Sequence, residues 1–398
     1  MPAPDNGFLF AFPERPDRDD DAHNADVRAL WADFNERVHK RVPVRLNTNP
    51  RMLMLDPAHN VNGIDYATYM TDPDVMARTI LEFQYWHRCF LPGDHEYGLP
   101  ERWTLAIDFQ NHYDAVWFGC PIHYRAGQVP DTTPILTDDR KNLLFDRGIP
   151  EPFAGEWAER ALAYIDHYKE RCAAGWTFLD RPVDPPSYVP FIGSDGIFTV
   201  AASLRGPQGL AMDLLADPDY ARQLLDYVCD ALIARMTAWR ERLDMPVRQP
   251  GFWSADDTIE ILSVDQYREF VLPRHRRFYD AFGTSEGRGM HICGDVQRFF
   301  LPLHEELGIQ GFDTGFPVNF GQFRRELGPD VLISGGPRIT YFLEETPDPI
   351  IDEVVRIMNS GVLEGGRFIL QEGNNLPPRA RLHICEEFYQ TGRLLGRL

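Results

Sequence analysis

Short apolar stretches that alternate with longer amphipathic stretches are the feature of this sequence that most limits its fold. The alternation is regular in the second half of the chain, where the apolar stretches are 188–192, 249–253, 289–293, 308–313, 331–334 and 367–371. Two earlier stretches, 42–46 and 103–109, bring the number of predicted strands to about eight. Alternating strand–helix units in this number predict an α/β fold, a (β/α)8 TIM barrel, with an open doubly wound sheet as the alternative.

The segments outside this alternation predict the domain organisation. Residues 1–40 are expected to form an N-terminal extension, with a flexible acidic arm followed by a helix. The barrel is expected to occupy residues 41–398. The segment 121–186 is rich in proline and charge and contains one helical pattern, so it is predicted to be a helical insertion between strands 2 and 3. Ser263 is the predicted N-cap of a later helix.

Composition and charge narrow the classes of function. The 398-residue chain is 43% hydrophobic and carries 40 Lys plus Arg against 60 Asp plus Glu, a formal net charge of -20. This acidity argues against a nucleic-acid or anionic-membrane partner and favours a small-molecule substrate. The N-terminal residues do not have the pattern of a signal peptide, no apolar run is long enough for a membrane span, and six scattered cysteines do not form a disulfide framework. A cytoplasmic location is expected.

Polar residues collect at the ends of the predicted strands. In a (β/α)8 barrel the active site lies at the carboxyl ends of the strands, so residues that are far apart in sequence would meet there. For any single acid the alternative is a turn or a helix cap. The strand-end residues are Asn47, Asn111, Asp195, Asp256, Asp257, His291, Cys293, Asp313 and Glu372.

Two of these residues suggest a metal site. In a strand that includes residues 289–293, His291 and Cys293 point to the same face because the side-chain period is two. Imidazole and thiolate together suit zinc or a similar cation better than magnesium or calcium. The alternative is that Cys293 is buried only for packing, as cysteines often are.

Several of the motifs resemble a known superfamily, that of uroporphyrinogen decarboxylase and the cobalamin-linked methyltransferases, including the methylcobalamin:coenzyme M enzymes. The resemblance runs from about Arg41 to the end. It is carried by YVPFIGSDGIFTVAASLRG, LSVDQYREFVLPRHRRFYD, HICGD, FDTGFPVNFGQFRRELGPDVLISGGP and GRFILQEGNNLPP. The resemblance implies a (β/α)8 barrel.

The decarboxylase branch of this superfamily has an arginine-rich loop after the first strand and an aspartate after the second. This chain has NTNPRM and FQNHY at those places, so only Arg51 remains of the first feature and Asn111 stands in place of the aspartate. A neutral amide does not stabilise a positively charged pyrrole as a carboxylate does. Decarboxylation of uroporphyrinogen is therefore not expected.

The methyltransferase branch binds zinc through His-x-Cys on the fifth strand and a further cysteine in a Gly-Cys-Gly turn after the eighth. Here the distal cysteine is missing, because Gly373-Asn374-Asn375 occupies that turn. The resemblance, together with Glu372 beside the turn, implies a site for zinc or another divalent metal that includes oxygen ligands. The expected ligands are His291, Cys293, Asp313 and Glu372.

The leading functional hypothesis is a metal-dependent methyltransferase or demethylase that uses a corrinoid, either free or on a separate corrinoid protein, as methyl carrier. The expected catalytic residues are Asp256, Asp257 and Glu372, and the expected substrate-binding residues are Asn47, Asn111, His112, Asn374 and Asn375. The alternatives are a cobalamin-independent lyase or decarboxylase of a small carboxylic acid, and a ligand-binding barrel that has lost its chemistry. Whether the protein forms a homodimer is left open.

Overall fold

The strands in the second half of the chain pair in parallel, one after the other, in the computed structural model, which describes residues 7–398. The strands are β1 Trp103–Ala106, β2 Ile122–His123, β3 Asp131–Thr132, β4 Thr177–Phe178, β5 Arg181–Tyr188, β6 Trp253–Ala255, β7 Gly289–Ile292, β8 Gly311–Thr314, β9 Leu332–Gly335 and β10 Phe368–Leu370. One five-stranded sheet has the order β10-β9-β8-β7-β6, and a second sheet has the order β1-β5-β4. The predicted α/β class is confirmed.

The first predicted strand is reduced to a parallel bridge between Val44 and Leu370, which extends the five-stranded sheet by one position. Its other side is bonded by Asp94 and not by β1. The Asp94 N–H donates to the Val44 carbonyl, and the Asp94 carboxylate accepts the Val44 N–H, each at 2.7 Å. The order of strands agrees with an eight-stranded barrel, but among residues 7–398 no ladder joins Val44 to β1 or β5 to β6.

Helices cover the strands and connect them. They are α1 Asp20–Glu36, α2 Arg51–Met54, α3 Tyr66–Thr71, α4 Pro73–Phe90, α5 Tyr113–Trp117, α6 Leu143–Arg147, α7 Glu156–Ala173, α8 Ile197–Arg205, α9 Pro207–Ala216, α10 Pro218–Arg242, α11 Val264–Gln266, α12 Leu272–Phe282, α13 Phe300–Leu307, α14 Phe320–Leu327, α15 Asp348–Met358 and α16 Leu382–Leu395. Within the described part of the chain, none of them has the length and apolar character that a membrane crossing requires.

Two strand boundaries differ from the prediction for local reasons. The stretch predicted as strand 188–192 is the end of β5 followed by a 3-10 turn that begins at Pro190, a residue without an N–H for a ladder. The stretch 249–253 forms its strand later, at β6, because Pro250 and the left-handed Gly251 (φ +72°) interrupt extended pairing. The predicted strands of the metal motif and its neighbours are confirmed at β7 and β8.

The N-terminal segment is partly packed, contrary to the expected flexible arm. Residues 1–6 lie outside the described part of the chain. Beyond them, the backbone N–H groups of Leu9 and Phe10 donate to the buried Glu82 carboxylate at 2.8 and 2.9 Å, and Phe10 is completely buried. The arm therefore packs on α4. The division into an extension of residues 1–40 and a barrel of residues 41–398 stays a prediction.

The cap at Ser263 is confirmed. Its side chain accepts the Gln266 N–H at 3.1 Å, and the Gln266 side chain accepts the Ser263 N–H at 2.9 Å, which is a capping box. A π-helical turn, 267–271, joins α11 to α12, and Pro273 follows it. Proline cannot donate the helical hydrogen bond to the residue four positions earlier, so a local widening of the helix at this point is expected.

Gly196 has a left-handed backbone, and its position allows no side chain. Its φ is +104°, and an added Cβ would lie 2.2 Å from the Ala255 carbonyl oxygen and 2.6 Å from the Asp256 side chain. We expect Gly196→Ala to reduce the free energy of unfolding by about 2–4 kcal/mol, measured by urea denaturation. Gly119→Ala is the control, since Gly119 has a similar φ of +96° and open space. Equal losses in the two variants would contradict the proposed clash.

Candidate functional site

A cavity of about 430 Å³ lies where the predicted strand ends meet. Its lining comes from segments that are far apart in sequence, including Arg51, Asn111, Asp114, Asp195, Asp257, His291, Asp313, Asn374 and Asn375. Four of these are aspartates, and Arg51 is the one Lys or Arg among the described lining residues. We call this the acidic cavity. The convergence predicted from the barrel rule is therefore observed for most of the strand-end residues.

Two residues of the acidic cavity, Asp257 and His291, form a group of three donors with Cys293, which lies beside the lining residue Asn374. One ligand atom each from Asp257, His291 and Cys293 lies within 4.8 Å of the other two. The His291 Nε2 is 3.6 Å from Asp257 Oδ1, and this same oxygen accepts the Cys293 N–H at 2.9 Å. His291 lies on β7 and Cys293 directly after it, so the same-face geometry expected from the strand period brings the two side chains together.

Asp313 contacts the other side of the His291 ring. Its Oδ2 lies 3.1 Å from His291 Nδ1, and the β7–β8 register pairs these two residues directly. Asp313 is outside the group of three donors, so its geometry fits orientation of the imidazole and not the role of ligand predicted from the sequence. A carboxylate on the second ring nitrogen fixes the tautomer of a histidine ligand.

A hydrogen-bonded chain continues behind Asp313. Gln371 Nε2 donates to Asp313 Oδ1 at 2.5 Å, and Gln371 Oε1 accepts from Asn47 Nδ2 and Arg45 Nε, each at 2.9 Å. The side chain of Asn47, predicted to bind substrate, is therefore engaged within the protein, and Asn47 is absent from the lining of the acidic cavity. Gln371 was missed because nothing in its sequence context separates it from an ordinary strand-end residue.

The two asparagines of the turn after β10 line the acidic cavity as expected. Asn374 Nδ2 donates to Cys293 Sγ at 3.5 Å, so it lies beside the sulfur at the place where the resemblance implied a further cysteine. Asn111 also lines the cavity. His112 does not, since its ring bonds to the backbone of Pro130, and burial lowers its pKa. A role for His112 in substrate binding has no geometric support.

Asp256 was predicted to be catalytic, but the structure engages it fully in the interior. The side chain is completely buried and accepts the backbone N–H groups of Phe198 and Thr199 at 2.9 and 2.7 Å, where α8 begins. It also accepts the Thr199 hydroxyl at 2.8 Å and contacts His275 Nε2 at 2.9 Å. These contacts hold α8 in place and leave no lone pair for a substrate.

Glu372 was predicted to be both a ligand and catalytic, and the structure supports neither role. The carboxyl group is completely buried, accepts the Asn47 N–H at 2.9 Å, and lies outside the group of three donors. Burial raises its pKa well above the usual range, because the lost solvation outweighs the hydrogen bond from the Asn47 N–H and the charge of Arg45. The strand-end rule located Glu372 at the correct end of the sheet but did not reveal that its side chain points away from the cavity.

Asp195 and Asp114 add two carboxyl groups that were not among the predicted catalytic residues. Asp114 accepts the Asp195 N–H at 2.9 Å and forms a completely buried ion pair with Arg235 at 2.6 Å, which fixes the turn that carries Asp195. Asp195 itself lines the cavity. Burial and the neighbouring Asp114 and Asp257 carboxylates raise its pKa well above the usual range.

Burial also changes the pKa values of the three donor residues. It lowers the pKa of His291, but hydrogen bonds to Asp313 and Cys293 outweigh this, so the net pKa is well above that of free histidine. Burial raises the pKa of Cys293 and of Asp257. Hydrogen bonds link Cys293 to both His291 and Asp257. A divalent cation at this point would favour their deprotonated forms.

The parallel sheet with a polar cavity at its carboxyl end defines an α/β protein with a small-molecule site. The sequence profile described as Uroporphyrinogen decarboxylase (URO-D) matches residues 183–393, and the chain belongs to that family. The chain is 30% identical over 172 residues to a methylated-thiol–coenzyme M methyltransferase from Methanosarcina mazei. This match covers 42% of the chain and 43% of the relative, so the chain spans less than half the length of that protein.

The fold has a counterpart among solved structures. A methyltransferase from Methanosarcina mazei superimposes with a TM-score of 0.60, covering 92% of this chain and 97% of that one. The two sequences are 18% identical, so this likeness shows a common fold. It extends over the first half of the chain, which the family profile does not cover.

The contacts of Asp256 predict that it stabilises the fold. Asp256→Ala should reduce the free energy of unfolding by about 3–5 kcal/mol, because several buried donors lose their partner at once. Asp265→Ala is a suitable control, since its side chain is 96% exposed, and a change below about 1 kcal/mol is expected. An Asp256 variant of unchanged stability would show that these contacts contribute little.

Proposed function

We propose that this chain is a methyltransferase or demethylase of a small molecule, with a divalent metal, zinc by preference, in the acidic cavity and a corrinoid as methyl carrier. The observation that carries the proposal is the group of Asp257, His291 and Cys293 donors within 4.8 Å, of which Asp257 and His291 line that cavity. The relatives named as methyltransferases support the class of reaction.

The residues present fit a divalent metal. Nitrogen, sulfur and oxygen donors on three side chains suit zinc, and three protein ligands leave a position open for a substrate. When bound, the metal would act as a Lewis acid on a substrate heteroatom or activate an acceptor thiol. Asp257 replaces Asp313 and Glu372 of the predicted ligand set, because its carboxylate is the one that lies with the histidine and the cysteine.

The remaining residues of the cavity have roles that follow from their contacts. Asp313, held by Gln371, orients His291 through Nδ1. The Asp195 carboxyl group faces the cavity, where burial and the neighbouring carboxylates raise its pKa, so it is the proposed general acid for the heteroatom that loses a methyl group. The amides of Asn111 and Asn375 provide neutral donors and acceptors for a substrate.

The corrinoid is proposed to arrive from outside the chain. No corrinoid-binding segment is recognised in the sequence, so the carrier would be free or held by a separate protein. It would accept or donate the methyl group at the mouth of the acidic cavity. A cytoplasmic location fits this proposal, since such an exchange needs a reduced cofactor.

The metal assignment predicts the metal content of variants. Protein purified without added metal should contain about one zinc or other divalent ion per chain by elemental analysis. Cys293→Ser and Asp257→Asn should each lose most of it, because each removes a ligand. Asp313→Asn should keep the metal but bind it about 10–100-fold more weakly in a chelator competition, as expected for a residue that orients a ligand.

Glu372→Gln is the matched control, because it changes an acid at the same end of the sheet that lies outside the donor group. It should retain the full metal content. Metal loss in Glu372→Gln together with retention in Asp257→Asn would replace the proposed ligand set with the one expected from the sequence. Absence of metal from every protein, including the parent, would contradict the proposal.

The cavity also predicts that uroporphyrinogen is not a substrate. Asn111 cannot neutralise a protonated pyrrole, and Arg51 is the one cation available for several carboxylates. We expect no coproporphyrinogen when the protein is incubated anaerobically with uroporphyrinogen and the products are separated by chromatography. Asn111→Asp should not restore the reaction, since the arginines are also missing. Turnover by the parent protein would place the chain in the decarboxylase branch.

A further inference from the structure

A second cavity, of about 510 Å³, lies next to the acidic cavity. Arg51 and Asn111 line both, so the two cavities adjoin at these side chains. The second cavity lies between β1, the end of β5, α4 and the 49–51 turn. This is the side on which Val44 is bonded by Asp94 and, within residues 7–398, no ladder joins it to β1.

The lining of the second cavity is largely apolar. It includes the aliphatic side chains of Ile80, Leu105 and Ala106 and the rings of Pro50, Phe83 and Tyr188. Tyr188 is 44% exposed and Phe83 is partly exposed, and both line this cavity. Exposed aromatic surface inside a cavity is stabilised when a flat apolar ligand covers it.

Several polar groups of the second cavity are hydrogen-bonded within the protein. Gln84 Nε2 donates to the Thr104 carbonyl at 2.7 Å. Asp108 accepts the Tyr69 hydroxyl at 2.8 Å and the Gln110 N–H at 2.7 Å. Arg51 Nε donates to Gln110 Oε1 at 2.6 Å, so the one guanidinium of this cavity is held at its boundary. The two charged side chains of this cavity, Asp108 and Arg51, are thus hydrogen-bonded to neutral groups of the protein, and the rest of its lining carries no formal charge.

The two cavities differ in the polarity of their linings, so they suit different parts of one ligand. The acidic cavity has two of the candidate metal ligands and the Asp195 carboxyl group in its lining, and the second cavity has largely apolar walls. A volume of about 510 Å³ is in the range of pockets that enclose most of a small organic molecule. A substrate as small as a short methylated thiol would leave this space unfilled.

We propose that the second cavity binds the uncharged, aromatic part of a methyl donor whose methyl-bearing heteroatom reaches past Arg51 and Asn111 into the acidic cavity. This inference rests on the proposed function, which it extends by naming a class of substrate, aryl methyl ethers or thioethers. Specificity would then come from Ile80, Phe83 and Tyr188, which contact the ring, and not from the metal ligands.

The test uses 4-bromoanisole, because bromine gives an anomalous signal that locates the ring. In crystals of the intact protein soaked with this probe, we expect the bromine between Phe83 and Tyr188 and the methoxy group at the Arg51–Asn111 boundary. In solution, Ala106→Phe should fill the cavity and weaken binding of the probe at least about 10-fold by calorimetry. Ala174→Phe, the same change at an exposed position, should bind the probe like the parent protein.

Two further measurements separate this inference from the proposed function. Metal content of Ala106→Phe should equal that of the parent, because Ala106 does not line the acidic cavity. If Ala106→Phe does not fold, Phe83→Ala removes one face of the ring site and should also weaken binding. Bromine in the acidic cavity, or equal affinity of parent and folded variants, overturns the inference while leaving the metal proposal intact. Bromine in the second cavity of a protein that binds no metal supports the ring site and overturns the proposed chemistry.

Discussion

The parallel register of β6, β7 and β8 is the constraint on which the site depends. It pairs Ala255 with His291 and His291 with Asp313 across three neighbouring strands. Asp257 follows two residues after Ala255, so the same register brings its carboxylate close to Nε2 of His291. Asp313 lies beside Nδ1 of the same ring. A shift of one residue in either ladder would turn His291 to the opposite face, because side chains alternate along a strand. The backbone hydrogen bonds thus fix the donor geometry before any ligand is bound.

Burial of carboxyl groups in and around the acidic cavity destabilises the fold, and the contacts of these groups reduce that loss of stability. Carboxyl groups taken out of water are destabilising unless they are paired, hydrogen-bonded or protonated. Asp114 is paired with the buried Arg235, and Asp256 is bonded to the start of α8. Asp195 has neither type of partner among the described residues, and burial with the Asp114 and Asp257 carboxylates beside it raises its pKa, which favours the protonated form. An acid left in this state at a cavity wall is typical of a functional group, since a purely structural position would favour an uncharged residue.

Much of the fold could be predicted from the sequence, because the strands that surround the metal motif are short, apolar and regularly spaced. The errors lie where proline or a left-handed glycine moves a strand boundary, as at Pro190 and Gly251. Position at a strand end was a good guide to which end of the sheet a residue occupies. It could not distinguish Asp257, which faces the cavity, from Asp256, which faces the interior. That distinction depends on the path of the backbone after β6, where α8 supplies the donors that bind Asp256.

The departure at Asn374 explains how a site can keep the position of a family's metal centre and change its character. A cysteine at this turn would add a second thiolate, whereas Asn374 adds an amide that donates to Cys293 Sγ. With Asp257 as the third donor, the group has one thiolate, one imidazole and one carboxylate. Oxygen in place of sulfur makes a site harder, so it favours polarisation of an oxygen or nitrogen leaving group over activation of a thiol. The same conclusion follows independently from the second cavity, whose apolar walls fit the ring of an aryl ether and exceed what a short thiol would fill. On the proposed function, ligand chemistry and cavity shape would therefore both favour a bulky methyl donor.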